Sequence, residues 1–303
     1  MNSNRALIAA AWDVTSRNKR YIVWFYVLNF ILGCVGAIVF GAQAGAVLNH
    51  SLYADKLLHG FDLPVLAELL ARPEFGPMST ASSAGGLSAL LFFIASLIFM
   101  PGVFLGYSSD HRISRGEFYR ACGHNLWRFV RIFLYFAIVA GIVGGILAGI
   151  QGALVKAADE SSYELLPFIT QMIGLTVIFL VLTVIRIWFD LAQADVVLRD
   201  QSATRKSIAA GYRMSRGKLG RLLGTYVLIA IVALLVLSAG IVLWNMIVPA
   251  ASVFGAFLIS QAILLLLLAV RFWQRAAAVS FYLRTKSEPA QSESTHLVPA
   301  TAV

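Results

Sequence analysis

The sequence predicts an all-α polytopic membrane protein: six transmembrane helices in three parallel-oriented hairpins, each preceded by an interfacial amphipathic helix. Three observations lead there. Hydrophobic residues fill 59% of the 303 positions and charged residues 13%, against roughly 45–50% and ~25% in soluble domains. Six apolar runs each reach the ~20 helical residues that a bilayer crossing requires. The cations collect in alternate loops. With a mean hydropathy of +0.79, the composition excludes an ordinary cytoplasmic enzyme and a disordered chain.

The runs lie near 21–45, 86–107, 129–153, 167–190, 220–247 and 251–275. Lipid offers no partner to a free backbone amide, and the runs lack strand-like alternation, so they read as helices. Twenty-one of the 24 Lys and Arg residues fall before the first run, between the second and third, at the junction of the fourth and fifth, or at the end of the sixth. Only Lys56, Arg72 and Lys156 occupy the other loops, beside seven acidic residues. Cations stay on the cytoplasmic side, which places both termini there in a cytoplasmic (inner) membrane. Trp127, Trp188 and Trp273 stand at the expected inner interface and Trp244 near the outer one, where amphipathic rings settle.

A formal charge of +9 invites a nucleic-acid reading. Topology accounts for it better, because a cation-rich face suits anionic headgroups, and no nucleic-acid-binding motif is present. Ala42-Gln43-Ala44 resembles a signal cleavage box, but the apolar run before it far exceeds a signal h-region, so it reads as a retained span. Cys34 and Cys122 fall on different sides of an interface and form no disulfide framework.

The cytoplasmic segments repeat. Ile208, Tyr212, Ser215 and Leu219 make one helical stripe; Phe118, Cys122, Asn125 and Phe129 repeat it, and Ile8, Trp12 and Thr15 begin it again. Arg205, Lys206, Arg213 and Arg216 fall within about 100° of arc, which describes a helix lying in the interface with its basic side on lipid phosphates. The units are 5–107, 112–199 and 202–284 of a single membrane domain over 1–284. Two spans per unit give every copy the same orientation. Arg186-Ile187-Trp188 aligns with Arg271-Phe272-Trp273, whereas the first unit has Met100-Pro101-Gly102 there. Residues 285–303 are polar and read as a disordered cytoplasmic tail.

The stretch Asp195-Val-Val-Leu-Arg199, then Ser207-Ile-Ala-Ala-Gly-Tyr-Arg-Met-Ser-Arg-Gly-Lys-Leu-Gly-Arg-Leu-Leu-Gly224, with Phe281-Tyr-Leu-Arg284 near the end, resembles the membrane domain of bacterial membrane-anchored glycerophosphodiester phosphodiesterases and related polytopic domains of unknown function. The likeness is good over the C-terminal part and covers the rest in outline. It implies a fold and a location. Catalysis in such enzymes belongs to a separate soluble barrel, which needs ~250 residues, and these 303 residues leave it no room. No catalytic residue carries over.

Small residues recur every fourth position at Ala137, Gly141, Gly145, Gly149 and Ala153, and at Gly33, Ala37, Gly41 and Gly45. Such stripes let helices approach closely within one chain, or between copies in a homo-oligomer. Arg186 and Asp190 lie one turn apart at the inner end of the fourth span, followed by Asp195; Arg271 and Arg275 hold the matching places in the sixth. These five are the candidate binding cluster, read first as ion pairs between neighbouring hairpins and second as a ligand site. Asn29, Gln171, Asn245 and Gln261 are expected to form interhelical hydrogen bonds. Mid-membrane carboxylates, the mark of a driven transporter, are absent from the spans.

In the first outer loop, Asp55 and His59 share a helical face near His50 and Asp62, without the Cys or tighter cluster a metal site calls for, and 62–71 reads as a short helix. Gly211 and Gly217-Lys218 miss the phosphate-loop spacing. With no hydrolase, metal or cofactor motif, the expectation is a non-enzymatic membrane scaffold or lipid- or partner-binding module that needs no cofactor. The alternative is a small-solute or lipid transporter with a pathway between the hairpins, and an intramembrane hydrolase ranks third.

Overall fold

The computed structural model describes residues 2–48, 78–161, 163–247 and 252–295. Among them are eight helices and no strand: α1 (Asn2–Arg17), α2 (Lys19–Leu48), α3 (Met78–Ser108), α4 (Arg115–Asp159), α5 (Leu166–Arg199), α6 (Thr204–Gly217), α7 (Leu219–Ile247) and α8 (Val253–Thr295). Six of these, α2 to α5, α7 and α8, are long and apolar enough to cross a membrane, and each contains most or all of one apolar run in the sequence. Their large apolar side chains are largely exposed, from Ile138, Ile142 and Ile146 on α4 to Leu234 and Leu235 on α7. That inverts the arrangement of a water-soluble bundle and suits helices solvated by hydrocarbon. The segment expected to be the first outer loop, with His50, Asp55, His59, Asp62 and the expected helix over 62–71, lies outside the described residues.

Local sequence sets the helix ends. Ser114 and Glu117 close a reciprocal capping box at the start of α4, with Glu117 N–H donating to Ser114 Oγ (3.2 Å) and Ser114 N–H to Glu117 Oε2 (2.8 Å). Pro167 occupies the first turn of α5, where its missing N–H has no partner to lose. Asp200 ends α5 in the left-handed region, φ 50°, a conformation Asp tolerates better than most residues.

The described chain forms two compact units. The first comprises 1–17, 98–229 and 273–303 and holds most of the buried residues. In it α4 and α5 pack along one another, and α6 packs on α5. The Gln151 carboxamide of α4 lies over Gly174 of α5, where a Cβ would overlap it, and donates to the Thr170 carbonyl (3.2 Å) and to Gln171. The second unit comprises 18–97 and 230–272. There Phe25 of α2 meets Phe92 of α3 and Phe272 of α8 edge to face, with centroids 6.2 and 5.0 Å away, and the Tyr26 hydroxyl donates to Gln261 Oε1 (3.1 Å). Gln171 and Gln261 thus make the interhelical bonds expected of them.

One expectation needs correction. The third span has no separate helix before it: α4 runs unbroken for 45 residues, about 67 Å at 1.5 Å per residue. Helices do end before Asn18 and Lys218, at the matching positions of the other two units. Asn18 and Gly217 favour a helix end, whereas Trp127 and Arg128 continue one. The buried face of α6 is Ser207, Gly211 and Ser215; Ile208 is half-buried and Tyr212 is 47% exposed. Likewise α1 buries Leu7, Ala11 and Thr15 and leaves Trp12 exposed. In α4 the stripe of Phe118, Cys122, Asn125 and Phe129 is buried. Among the described residues, a Cβ on Gly141, Gly145 or Gly149 of α4 would meet nothing within 4 Å. The last helix, α8, continues to Thr295.

The small faces follow from how closely the helices cross. A Cβ on Gly211 would stand 2.8 Å from the Trp188 carbonyl oxygen and 2.9 Å from the Ala192 nitrogen, so α6 rests on the backbone of α5. The Trp188 indole N–H then donates to the Ile208 carbonyl (2.7 Å), and the Trp188 and Tyr212 rings meet edge to face at 5.3 Å. The same contact recurs between α1 and α8. Trp273 N–H donates to the Ile8 carbonyl (3.1 Å), and Trp12 meets Trp273 edge to face at 5.1 Å. In α3 the glycine is on the other partner, because a Cβ on Gly102 would reach within 2.8 Å of Cys122 Sγ and closer still to the Phe118 ring.

Candidate functional site

The C-terminal part of α5 carries two buried carboxylates. Asp190 and Asp195 are 8% and 3% exposed. Each has an arginine one turn away on its own helix, Arg186 Nε at 3.7 Å from Asp190 Oδ2 and Arg199 Nε at 3.5 Å from Asp195 Oδ1. Each also accepts from a tyrosine on another helix: Tyr226 Oη of α7 donates to Asp190 Oδ2 (2.8 Å), and Tyr282 Oη of α8 donates to Asp195 Oδ1 (2.7 Å). A carboxylate leaves water at a cost of several kcal/mol unless paired and hydrogen-bonded. Here the arginine supplies the charge and the tyrosine a directed donor.

Of the expected cluster of Arg186, Asp190, Asp195, Arg271 and Arg275, Arg186 pairs with Asp190 along α5, and phenol hydroxyls link both carboxylates to other helices. Arg275 Nη1 lies 2.7 Å from Met100 Sδ, and Arg271 is exposed in the other compact unit. Sequence reasoning missed Tyr226, Tyr282 and Arg199. One signal pointed to Tyr226: it aligns with Tyr26 at the spacing that relates Ile208 to Ile8, and both tyrosines bond a polar side chain on another span.

A second feature begins past the turn at Asp200. The Asp200 carboxylate accepts from Arg128 Nη1 (2.5 Å) and lies 2.7 Å from His124 Nε2, tying the α5–α6 turn to α4. The bond from Arg128, then that with His124, holds the Asp200 carboxyl below its ordinary range. On α6, Arg205, Lys206, Arg213 and Arg216 are all exposed, opposite the face docked on α5. Arg205 Nε donates to Tyr135 Oη of α4 (3.4 Å), a bond that raises the guanidinium further above its ordinary value. Trp127, read as an interface anchor, is 61% exposed with the Arg131 guanidinium 5.3 Å from its ring centroid. Trp188 and Trp273 tie α6 and α1 down instead.

Among the described residues no three His, Cys, Asp or Glu side chains gather as a metal site. Chemically, the arrangement offers two carboxylates already engaged and a run of guanidinium and ammonium groups free to face anions. No protein-family model, curated protein or solved structure matches the chain.

Proposed function

We propose that this is a multi-pass protein of the cytoplasmic membrane that binds anionic lipid headgroups, or a protein partner, through its cytoplasmic face, and that it acts as a scaffold rather than an enzyme. Both termini lie in the cytoplasm. The spans form three parallel hairpins, related as in the membrane domains the sequence resembles. The observation that carries the reading is α6: four cations stand exposed along one face, while Ser207, Gly211 and Ser215 fix the other to α5. A protein-anchored basic face at headgroup depth gains about 1 kcal/mol per Lys or Arg near an anionic surface.

The matched dockings of α6 on α5 and of α1 on α8 support the repeat. In that reading α6 rests on the exit span of the preceding unit, and α1 on that of the last. The carrier reading draws less support, because the carboxylates it would use are already bonded to Tyr226, Tyr282 and their arginines.

The test is thermal unfolding in nanodiscs of phosphatidylcholine with and without phosphatidylglycerol. Anionic lipid should raise Tm of the wild type, and Lys206→Gln/Arg213→Gln/Arg216→Gln should lose most of that gain. An equal gain in both would end the lipid-binding reading.

A further inference from the structure

Beside the N-terminus of α6 is a cavity of about 350 Å³ lined by Arg131 and Tyr135 of α4 and by Ser202, Ala203, Thr204 and Arg205. Two guanidinium-bearing residues and three hydroxyl-bearing ones line it, and none of the six is acidic. The nearest carboxylate in sequence, Asp200, is held by Arg128 and His124. Two cations beside one cavity without a counter-charge favour an anion between them.

The helix end points the same way. At the start of α4 the capping box meets the first-turn amides; at α6 the N-cap is Ala203, which has no side-chain oxygen to offer. The positive end of the α6 dipole is left for an outside acceptor. Independently, Thr204 lines the cavity, is 5% exposed, and its Oγ1 has no hydrogen-bond partner among the described residues. A buried hydroxyl of that kind calls for a ligand or a bound water, because leaving it unmade is costly.

We infer that this cavity is a binding site for a phosphate group. Arg131 and Arg205 supply charge and forked donors, Tyr135, Ser202 and Thr204 supply hydroxyls, and the first turn of α6 supplies amides. The inference rests on the reading that this face of the protein meets anionic headgroups, and it narrows that reading to one pocket apart from the diffuse basic surface. A phospholipid monoester headgroup and free phosphate share the chemistry.

The experiment uses the full chain in a neutral detergent, titrated separately with dioctanoyl phosphatidic acid, dioctanoyl phosphatidylcholine and inorganic phosphate, with thermal unfolding and calorimetry as readouts. Saturable binding of phosphatidic acid, tighter than of inorganic phosphate, identifies the headgroup as the source; equal affinities identify the free ion. In either case Arg131→Gln and Arg205→Gln should each weaken binding about tenfold or more, as loss of a charge-assisted hydrogen bond predicts. Thr204→Val should weaken binding while raising the ligand-free Tm; a higher Tm with unchanged affinity would remove Thr204 from the site. Wild-type affinity in the Arg131→Gln/Arg205→Gln double variant, or no saturable binding by any phosphate probe, overturns the pocket. Lys206→Gln/Arg213→Gln/Arg216→Gln separates the two levels. If it alone loses the gain from phosphatidylglycerol, the surface reading survives without the pocket; if neither set of variants responds, both fall.

Discussion

The Tyr226 hydroxyl of α7 donates to the Asp190 carboxylate of α5 at 2.8 Å, with Tyr226 1% exposed and Asp190 8% exposed. Both partners are buried. Tyr226→Phe should therefore lower stability by about 1.5–3 kcal/mol, the range for a hydrogen bond to a charged group. Asp190→Asn, which keeps an acceptor for the phenol, should cost less than Asp190→Ala. Thermal unfolding in detergent measures both, and equal melting temperatures for Asn and Ala would contradict the pairing.

Gly211 and Gly145 should respond oppositely to a side chain. Gly211→Val would push against the Trp188 carbonyl and the Ala192 backbone, where no flexible tip can yield. It should detach α6 and expose the α5–α6 linker to protease. Gly145→Val faces open space and should leave the cleavage pattern unchanged. Resistance of the Gly211 variant would show that α6 does not rest on α5 as described.

Trp188 and Trp273 make corresponding bonds to Ile208 and Ile8. If the two dockings are equivalent, Trp188→Phe and Trp273→Phe should each cost about 0.5–1.5 kcal/mol for the lost hydrogen bond, and the double variant should cost the sum. Effects on Tm that differ several-fold would count against the repeat.

Asp200 sets a pH response. Its carboxyl is held below the ordinary value of 3.8 by Arg128 and then His124. A depressed folded-state pKa contributes stability above the unfolded value and loses it as pH falls through the folded one. The tie between α4 and the α5–α6 turn should thus persist at pH 5 and be released only below 3.8. A carboxylate ¹³C titration of selectively labelled protein follows it directly, and a midpoint above 3.8 would contradict the geometry.

The six apolar helices were legible because each run exceeds a crossing length and nothing competes with that signal. The turns at Asn18 and at Gly217-Lys218 were not legible, since the stripe Ile208, Tyr212, Ser215 and Leu219 runs across the second of them just as Phe118 to Phe129 runs across the unbroken path through Trp127-Arg128. The face of α6 that docks on α5 was not legible from its apolar stripe. Periodicity ranks Ile208 and Tyr212 above Ser207 and Gly211 by hydrophobicity, whereas close backbone crossing selects for size. Asp190 and Asp195 were visible as ionisable groups at the ends of apolar runs, with Arg186 beside one of them. Their tyrosines were not, because a phenol in an aromatic-rich span carries no pattern of its own, and Tyr226 is 36 residues away in the chain.

The account depends on hydrocarbon around the six helices and on the cationic segments sharing one side of it. Single cysteines at Arg120, Arg213 and Tyr163, placed in a chain whose own Cys34 and Cys122 are changed to Ser, test this in intact cells with a membrane-impermeant maleimide. Positions 120 and 213 should label only after lysis and position 163 before it. Labelling of 120 and 213 from opposite sides, or of all three without lysis, would contradict it.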